Sequence, residues 1–512
     1  MTERGSRAIG MQVRKAYERG LDDYHMTGIC PEPAIGRIKD GDSVVFCCRR
    51  GEREIELTEL FTMPNPPVAV HSLKDLGFVL LTLYHENFSH LPIAFAPIQA
   101  RNPLAQVLSE NHKTQLHIAE SEKFAHVTFF LNGGRNEPFE GETDTCVPSP
   151  HAAAFETVPR LSLDEVANHL IDSLGCYDFI VANFANGDVI GHTASKPAKL
   201  EACEAVSQNL ERVAKEALKK DYAVCITADH GNIEKLFTID GKPDVAHTTN
   251  PVAVMILDPS NQEVNLHDGS LCDVGPTILD IMGLIQPADM TGSTLLEPRS
   301  WKSGQRVLLL ILDGWGLGSG DDNDAIHLAS TPYWDYLLKS CPYKRLHASG
   351  SYVGLGEGKS GNSEAGHMNL GAGRVVMQDD IRIDEAIRDG SFYSNEAIAS
   401  CIGKAKENGK ALHLITYLTY KSSHGSMDYA LAVCQMAKAK DLEQVYLHII
   451  FDGRSTDPHS APQLLEELQA KLDKIGIGQI VDGIGRSYAL DRDHDYDKVR
   501  KAYELMTIGK AD

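Results

Sequence analysis

The chain has 512 residues, of which 42% are apolar and 23% are charged, and its formal net charge is −22. This length exceeds what one hydrophobic core supports, so the sequence predicts a globular protein of two or three domains. The acidic balance argues against nucleic acid as a partner, because binding to a phosphate backbone requires a basic surface. A local arginine cluster could still hold a small phosphorylated ligand.

The composition also bears on the compartment. No run approaches the roughly 18 apolar residues of a membrane span, and the first residues lack the apolar core of a secretory signal. The eleven cysteines are scattered without metal-type spacing, which is typical of reduced thiols. We therefore expect a cytoplasmic protein with no membrane partner.

The first hundred residues predict a small α/β segment. Apolar positions at near-helical spacing indicate a helix over 8–23, and short apolar runs indicate strands at 43–48 and within 74–84. Residues 91–97 are interpreted as a connection between elements. A domain boundary is expected near residue 96.

Arginines follow the strand predicted at 43–48, namely Arg49, Arg50 and Arg53. Such a cluster could bind an anionic ligand, because a guanidinium fork matches carboxylate and phosphate geometry. Taken alone, it could equally be a solvated run of charge.

Three later apolar runs share one pattern, in which an aspartate follows closely. The runs lie at 177–182, 222–227 and 307–312, and their aspartates are Asp188, Asp229 and Asp313. Runs of this kind, separated by amphipathic helices such as 200–218, predict buried parallel strands of an α/β sheet. Ligands of such sheets bind at the carboxyl ends of the strands. We therefore expect the three aspartates to converge at one edge.

Histidines accompany these aspartates at spacings that suit metal ligation. Asp188 and His192 are four residues apart and could face one ion across a helical turn, His230 is adjacent to Asp229, and His247 follows downstream. Together they could hold two divalent ions about 3.5–4 Å apart, which would clamp a phosphoryl group. Mixed imidazole and carboxylate ligands favour Mn, Zn or Co over Mg or Ca. Any one such pair could also be a surface accident or a helix cap.

A candidate nucleophile, Ser363, lies between glycines in the segment Gly361–His367. A serine hydroxyl attacks only when a base or a metal ion activates it, and the glycines would let the backbone approach a ligand closely. The same segment could be an ordinary glycine-rich loop.

These segments resemble the cofactor-independent phosphoglycerate mutases of the alkaline phosphatase superfamily. The similarity extends over nearly the whole chain and includes several multi-residue motifs. The motifs are Leu312–Gly316, Gly361–His367, Leu370–Arg374, Asn183–His192, Thr227–Asn232 and His247–Pro251.

The order of the segments departs from the family. The family's opening segment begins here near residue 306, so the chain resembles a circular permutation. The resemblance implies an alkaline-phosphatase-like α/β/α sandwich with a mostly parallel sheet over 97–378. It also implies a smaller, split α/β transferase domain formed by 1–96 plus 379–512. Fusion of two unrelated fragments is the alternative, but together the two parts supply one complete ligand set.

The resemblance assigns roles by matching position. It implies one metal ion on Asp188, His192 and His247, and a second on Asp229, His230, Asp313 and the Ser363 oxygen. Ser363 would become phosphorylated. Lys123 would neutralise phosphoryl charge and contact the substrate, although by itself it could be a solvated lysine.

The resemblance also implies a set of substrate-binding residues in the split domain. Two positions depart from the family pattern. Ser455 stands where the family has an aspartate thought to contact the substrate hydroxyl, and the approach to His424 contains fewer glycines than expected. The implied set is Arg50, Arg53, His424, Arg454, Ser455, Arg486 and Arg492.

The implied activity is a metal-dependent, glycolytic isomerase that interconverts 3-phosphoglycerate and 2-phosphoglycerate without 2,3-bisphosphoglycerate. Mn²⁺ is the expected ion, with Co²⁺, Zn²⁺ or Mg²⁺ as alternatives, and the protein is expected to be a monomer. A phosphomonoester hydrolase impaired as a mutase by Ser455 is one alternative. A non-catalytic phosphosugar-binding or scaffold protein is the other, and the complete set of metal and phosphate groups argues against it.

Overall fold

The computed structural model describes residues 5–511 apart from 50–52, 153, 299–300, 302–303 and 423. The chain forms two compact units. The split unit contains Met1–Pro97 and Asp379–Asp512, and the continuous unit contains Ile98–Gln378. No helix in the described ranges is long and apolar enough to cross a membrane.

The secondary structure alternates strands and helices along the chain. Within the described residues, the strands are β1 (Ser43–Phe46), β2 (Gly77–Thr82), β3 (Ile93–Phe95), β4 (Gln115–Glu120), β5 (Glu142–Val147), β6 (Phe179–Phe184), β7 (Tyr222–Thr227), β8 (Val252–Leu257), β9 (Gly269–Ser270), β10 (Arg306–Leu312), β11 (Tyr343–His347), β12 (Leu412–Leu418), β13 (Val445–Phe451) and β14 (Gln479–Gly485).

The α-helices over the same residues are α1 (Ser6–Glu18), α2 (Ile55–Thr62), α3 (Leu104–Glu110), α4 (Leu163–Ser173), α5 (Asn186–Gly191), α6 (Lys196–Lys219), α7 (Val274–Met282), α8 (Ala325–Leu328), α9 (Pro332–Ser340), α10 (Ser363–Ala372), α11 (Asp379–Asp389), α12 (Glu396–Glu407), α13 (Met427–Ala439), α14 (Ala461–Ile475), α15 (Arg486–Ala489) and α16 (Tyr496–Ile508).

The split unit is built on a fully parallel sheet with strand order β14-β13-β12-β1-β2-β3. Side chains of β1 and of Cys47, which follows it, alternate between two cores. Val45 and Cys47 pack with residues of α1, α12, α13 and α14. Val44 and Phe46 pack with residues of α2 and α16. Burial on both faces explains why this strand is continuously apolar in the sequence.

The edge strand β3 corrects one sequence prediction, the interpretation of 91–97 as a connection. Among the described strands, Ile93–Phe95 pairs only with β2. Pro92 and Pro97 flank it closely, and proline is tolerated at a sheet edge because one side of the strand needs no ladder donors. Because two prolines occur in so short a run, the sequence pattern did not predict a strand here.

The continuous unit contains a mixed sheet with strand order β5-β4-β6-β10-β7-β8-β11-β9. The strands from β5 to β7 are parallel, whereas β8 is antiparallel to both of its neighbours. This arrangement, together with the parallel sheet of the split unit, confirms the predicted two-domain α/β fold class.

The central strands of this sheet place three loops at one edge. In the register of β10, Leu312 lies beside Phe184 of β6, and Ile311 lies beside Thr227 of β7. Because the three strands are parallel and in step, the residues that follow them emerge together at their carboxyl ends.

A line of buried polar side chains crosses the sheet of the split unit. His413 Nε2 lies 3.3 Å from Asp42 Oδ2, and His413 Nδ1 lies 3.0 Å from His448 Nε2. His448 Nδ1 lies 2.9 Å from Asp482 Oδ2, which also accepts a 2.6 Å hydrogen bond from Arg37. Since all five residues are buried, each charge depends on its neighbour for compensation.

We expect Arg37→Met to lower the free energy of unfolding of the split unit by about 3–5 kcal/mol, because Asp482 would remain buried without its cation. Arg14→Met is the control, since the Arg14–Glu466 pair is exposed, and its loss should change stability by less than about 1 kcal/mol. Denaturant unfolding followed by circular dichroism measures both. Equal effects of the two substitutions would contradict the prediction.

Candidate metal centre

Three buried aspartates meet at the carboxyl ends of the central strands of the continuous unit. Asp188 lies in the first turn of α5 after β6, Asp313 follows β10, and Asp229 follows β7. His230 Nε2 lies 3.7, 3.5 and 3.6 Å from a carboxylate oxygen of Asp188, Asp313 and Asp229, respectively. The convergence expected from the strand pattern is therefore present.

The outer part of the site brings Asp188 together with two histidines. Asp188 Oδ1 lies 3.3 Å from His192 Nε2 and 2.9 Å from His247 Nε2. The Nδ1 atoms of His192 and His247 lie 2.8 Å from the backbone carbonyls of Val245 and Gly361, respectively. Each Nδ1 therefore donates a hydrogen bond, which leaves the two Nε2 lone pairs facing each other 3.0 Å apart. A cation fits between these two nitrogen atoms and the Asp188 carboxylate.

The inner part of the site surrounds the serine hydroxyl. Ser363 is the first residue of α10, and the side chain of Asn362 caps this helix. Ser363 Oγ lies 2.7 Å from Lys123 Nζ, 3.0 Å from His230 Nε2 and 3.1 Å from Asp313 Oδ1. The predicted nucleophile is thus in contact with two predicted metal ligands, and the helix N-terminus favours negative charge beside it.

Lys123 is the cation that balances the carboxylates. Its Nζ donates hydrogen bonds to Asp188 Oδ2 at 2.6 Å and to Asp313 Oδ1 at 2.8 Å. Burial alone would lower the pKa of Lys123, but Asp313 and Asp188 reverse the effect and raise it above its usual value. Burial likewise opposes ionisation of Asp313, yet Lys123 and His230 hold its pKa well below the ordinary range. The site therefore keeps its charges at neutral pH.

The donor set fits divalent cations. It contains three carboxylates, three imidazoles and a hydroxyl, a mixture that suits Mn, Zn or Co. One group of ligand atoms comes from Asp188, His192 and His247, and another comes from Asp188, His230 and Asp313. Asp229 Oδ2 is buried and accepts no hydrogen bond from any described residue, which is the state of an oxygen that a cation would satisfy.

Two buried residues in contact with this site were quoted within sequence motifs but given no role. Asn183, on β6, donates a 2.6 Å hydrogen bond to Asp313 Oδ2. His367, on α10, lies 3.2 Å from Asp229 Oδ2 through its Nδ1 atom. An asparagine near the end of an apolar strand, five positions before Asp188, was the signal available in the sequence.

Apart from Lys123, the residues predicted to bind substrate belong to the split unit. His424 Nδ1 lies 2.9 Å from the buried carboxylate of Glu54, and its ring stacks on Tyr417 with centroids 5.6 Å apart. The buried guanidinium of Arg486 also lies against Tyr417, 5.7 Å from the ring centroid, and pairs with Asp452. Tyr417 thus lies next to both His424 and Arg486.

The other predicted residues of this set differ in exposure. Arg454, Ser455 and Arg492 are exposed, whereas Arg53 is half-buried and donates to the carbonyl of Leu490 at 3.2 Å. The backbone N–H of Ser455 donates to Asp452. Asp452 therefore joins Ser455 to Arg486. Arg50 lies outside the described residues.

Two family models match this chain. The model of the metalloenzyme superfamily matches residues 68–286, and the model of the N-terminus of 2,3-bisphosphoglycerate-independent phosphoglycerate mutases matches residues 383–512. The first match covers most of the metal ligands, and the second covers most of the predicted substrate-binding residues.

Curated 2,3-bisphosphoglycerate-independent phosphoglycerate mutases are also similar to this chain. The chain is 40% identical over 298 residues to the 2,3-bisphosphoglycerate-independent phosphoglycerate mutase of Bacteroides thetaiotaomicron, with 57% of this chain and 59% of the relative covered. The identity to the corresponding protein of Akkermansia muciniphila is 40% over 289 residues, with 56% of each chain covered. The match thus spans little more than half the length of these relatives. Together with the family models, it confirms the resemblance indicated by the sequence motifs.

A solved structure is also similar to this chain. It is the Leishmania mexicana phosphoglycerate mutase at low cobalt concentration, with 25% identity, 52% of each chain covered and a TM-score of 0.42.

We expect Lys123→Met to lower the free energy of unfolding of the EDTA-treated protein by about 3–5 kcal/mol, because buried carboxylates would lose their cation. Mn²⁺ should restore most of this loss, since a bound cation replaces the missing ammonium charge. Scanning calorimetry with EDTA and with MnCl₂ measures both effects. Lys215→Met, which removes an exposed pair with Glu211, is the control. A loss that Mn²⁺ does not relieve would count against the electrostatic explanation.

Proposed function

We propose that this relative of the 2,3-bisphosphoglycerate-independent phosphoglycerate mutases interconverts 3-phosphoglycerate and 2-phosphoglycerate through a phosphoserine on Ser363. The observation that carries the proposal is the position of the Ser363 hydroxyl. It lies at the start of α10, within hydrogen-bond distance of Lys123, His230 and Asp313. This is the arrangement of an activated nucleophile beside groups that stabilise a transferred phosphoryl group.

We propose that two divalent ions, most simply Mn²⁺, complete the site. Asp188, His192 and His247 would hold one, and Asp229, His230, Asp313 and Ser363 would hold the other. When bound, they would lower the pKa of the serine hydroxyl and neutralise charge on the phosphoryl oxygens.

The chemistry of the chain's own residues follows from this geometry. Ser363 Oγ forms a bond to phosphorus while the ester bond to the glycerate oxygen breaks. The proton lost from Ser363 balances the one gained by the departing glycerate oxygen. Lys123 and the N-terminal amides of α10 stabilise the phosphoryl oxygens during transfer. The other glycerate hydroxyl then attacks the phosphoserine and regenerates Ser363, so no 2,3-bisphosphoglycerate is consumed.

The split unit would supply the groups that hold phosphoglycerate. Arginine is suited to this role because its fork binds carboxylate and phosphate in bidentate fashion. The hydrogen bond from His424 Nδ1 to Glu54 orients the imidazole and leaves Nε2 for a ligand. The proposed set is Arg50, Arg53, His424, Arg454, Ser455, Arg486 and Arg492.

We also propose that the segment order is circularly permuted relative to the family. The model described as an N-terminus matches residues 383–512, downstream of the metalloenzyme match at 68–286. This order supports a phosphatase domain over 97–378 and a transferase domain formed by 1–96 and 379–512.

A monomer in the cytoplasm remains our proposal for the state of the protein. Each of the eleven cysteines lies within the described part of the chain and is a free thiol, which is in keeping with a reducing compartment.

The deciding assay incubates the protein with Mn²⁺ and 3-phosphoglycerate, without 2,3-bisphosphoglycerate, and follows 2-phosphoglycerate and free phosphate together. We expect rapid isomerisation with little phosphate release. EDTA and Ser363→Ala should each abolish it, whereas Ser360→Ala, in the loop before α10, should not. Metal-dependent phosphate release without isomerisation would identify a hydrolase instead. Metal binding without any turnover would identify a binding protein.

Ser455→Asp tests the departure from the family pattern at this position. A carboxylate there could exchange a proton with the glycerate hydroxyl, so we expect the ratio of 2-phosphoglycerate to free phosphate to rise several-fold. The same assay, run with Ser460→Asp as the charge control, measures this ratio. An unchanged or lower ratio would show that the serine already suffices.

A further inference from the structure

We propose that Asn183 and His367 form a positioning pair that orients the carboxylate of Asp313 and ties it to the helix of Ser363. The pair is assigned no role in the mechanism above. The proposal rests on the proposed function for its consequence in catalysis, but its effect on metal binding can be measured separately.

Asn183 uses both of its amide hydrogens at the site. Its Nδ2 atom donates to Asp313 Oδ2 at 2.6 Å and lies 3.0 Å from His367 Nε2. An amide nitrogen has two hydrogens and no acceptor lone pair. Asn183 therefore donates to both partners, and His367 Nε2 is the acceptor.

His367 has its tautomer fixed from its other side. It lies one helical turn after Ser363, and its Nδ1 atom lies 2.9 Å from the backbone carbonyl of that serine. A carbonyl oxygen accepts only, so Nδ1 carries the hydrogen, in agreement with an unprotonated Nε2. The same Nδ1 lies 3.2 Å from Asp229 Oδ2. His367 thus ties Asp313 to the nucleophile's helix through Asn183, and its ring lies beside Asp229.

The same geometry argues against His367 as a metal ligand. Its ligand atoms lie close enough to those of Asp229 and Asp313 to suggest a cation site. A ligating imidazole must direct a free lone pair at the ion. Here Nδ1 carries a hydrogen and the Nε2 lone pair accepts from Asn183. Positioning is the role left to the side chain.

The pair decides which oxygen of Asp313 faces the reacting groups. Asn183 holds Oδ2, so Oδ1 faces Lys123 and Ser363 at 2.8 and 3.1 Å. If the carboxylate of Asp313 rotated, Oδ1 would no longer face the other proposed metal ligands. Because such supporting contacts typically contribute 10–100-fold to metal affinity, loss of the pair should weaken metal binding measurably.

The test measures the Kd of Mn²⁺ by electron paramagnetic resonance, independently of turnover. Asn183→Leu removes both donors at similar volume, and His367→Leu removes the ring. We expect each to weaken Mn²⁺ binding about 10–100-fold, with the double variant no weaker than either single one, because the two residues act as a unit. His367→Asn retains a donor near the Nδ1 position and should recover part of the affinity.

Asn209→Leu is the matched control. Asn209 is buried, and its Nδ2 donates to Asp164 and to a backbone carbonyl away from the metal centre. Its replacement should leave the Kd unchanged. If Asn183→Leu does not fold, as judged by circular dichroism, Asn183→Ser keeps one donor and should show a smaller loss in the same direction.

Three results would overturn the proposal. Wild-type Kd values in Asn183→Leu and His367→Leu would exclude a positioning role. Loss of one bound Mn²⁺ per chain in His367→Leu alone would make His367 a ligand. An equal loss in Asn209→Leu would make the effect a general one of core packing. Tight metal binding in the wild type without mutase turnover would refute the proposed function and leave this inference intact.

Discussion

The structure of the continuous unit depends on holding three carboxylates together in a buried space. Asp188, Asp229 and Asp313 repel one another wherever water is excluded, and burial penalises each charge. The folded unit tolerates them because Lys123 and His230 lie among them. The same compensation explains why the site suits divalent ions. Cations of higher charge, held by the same oxygens, would stabilise the arrangement further.

The split unit uses its charged groups differently. Its predicted substrate arginines are equivalent in the sequence, but the structure separates them into two kinds. Arg486 is buried, paired with Asp452 and placed against two tyrosine rings, whereas Arg454 and Arg492 are exposed. A buried, oriented guanidinium loses little freedom on binding a ligand. Exposed arginines lose more side-chain entropy.

Local sequence patterns predicted the central strands of the continuous unit and the convergence of its aspartates. The apolar run at 222–227 coincides with β7, and the aspartates after three such runs converge because parallel strands share a direction. Strand β3 was missed because its own residues carry no strand pattern. It is a strand because it pairs with β2. The contact between Asn183 and His367 joins β6 to α10 across 184 positions of the chain. Such side-chain networks depend on tertiary packing, which periodicity does not encode.

The order of strands within the two sheets has a consequence for folding during synthesis. β10, which lies between β6 and β7, is made after both of them, so the middle of that sheet stays open until residue 312 has emerged. In the other sheet, β1 needs β12, and Ser43 pairs with Leu412. One side of β1 therefore stays unpaired until most of the chain has been made. Such distant pairings slow folding and leave strand edges exposed to aggregation in the nascent protein.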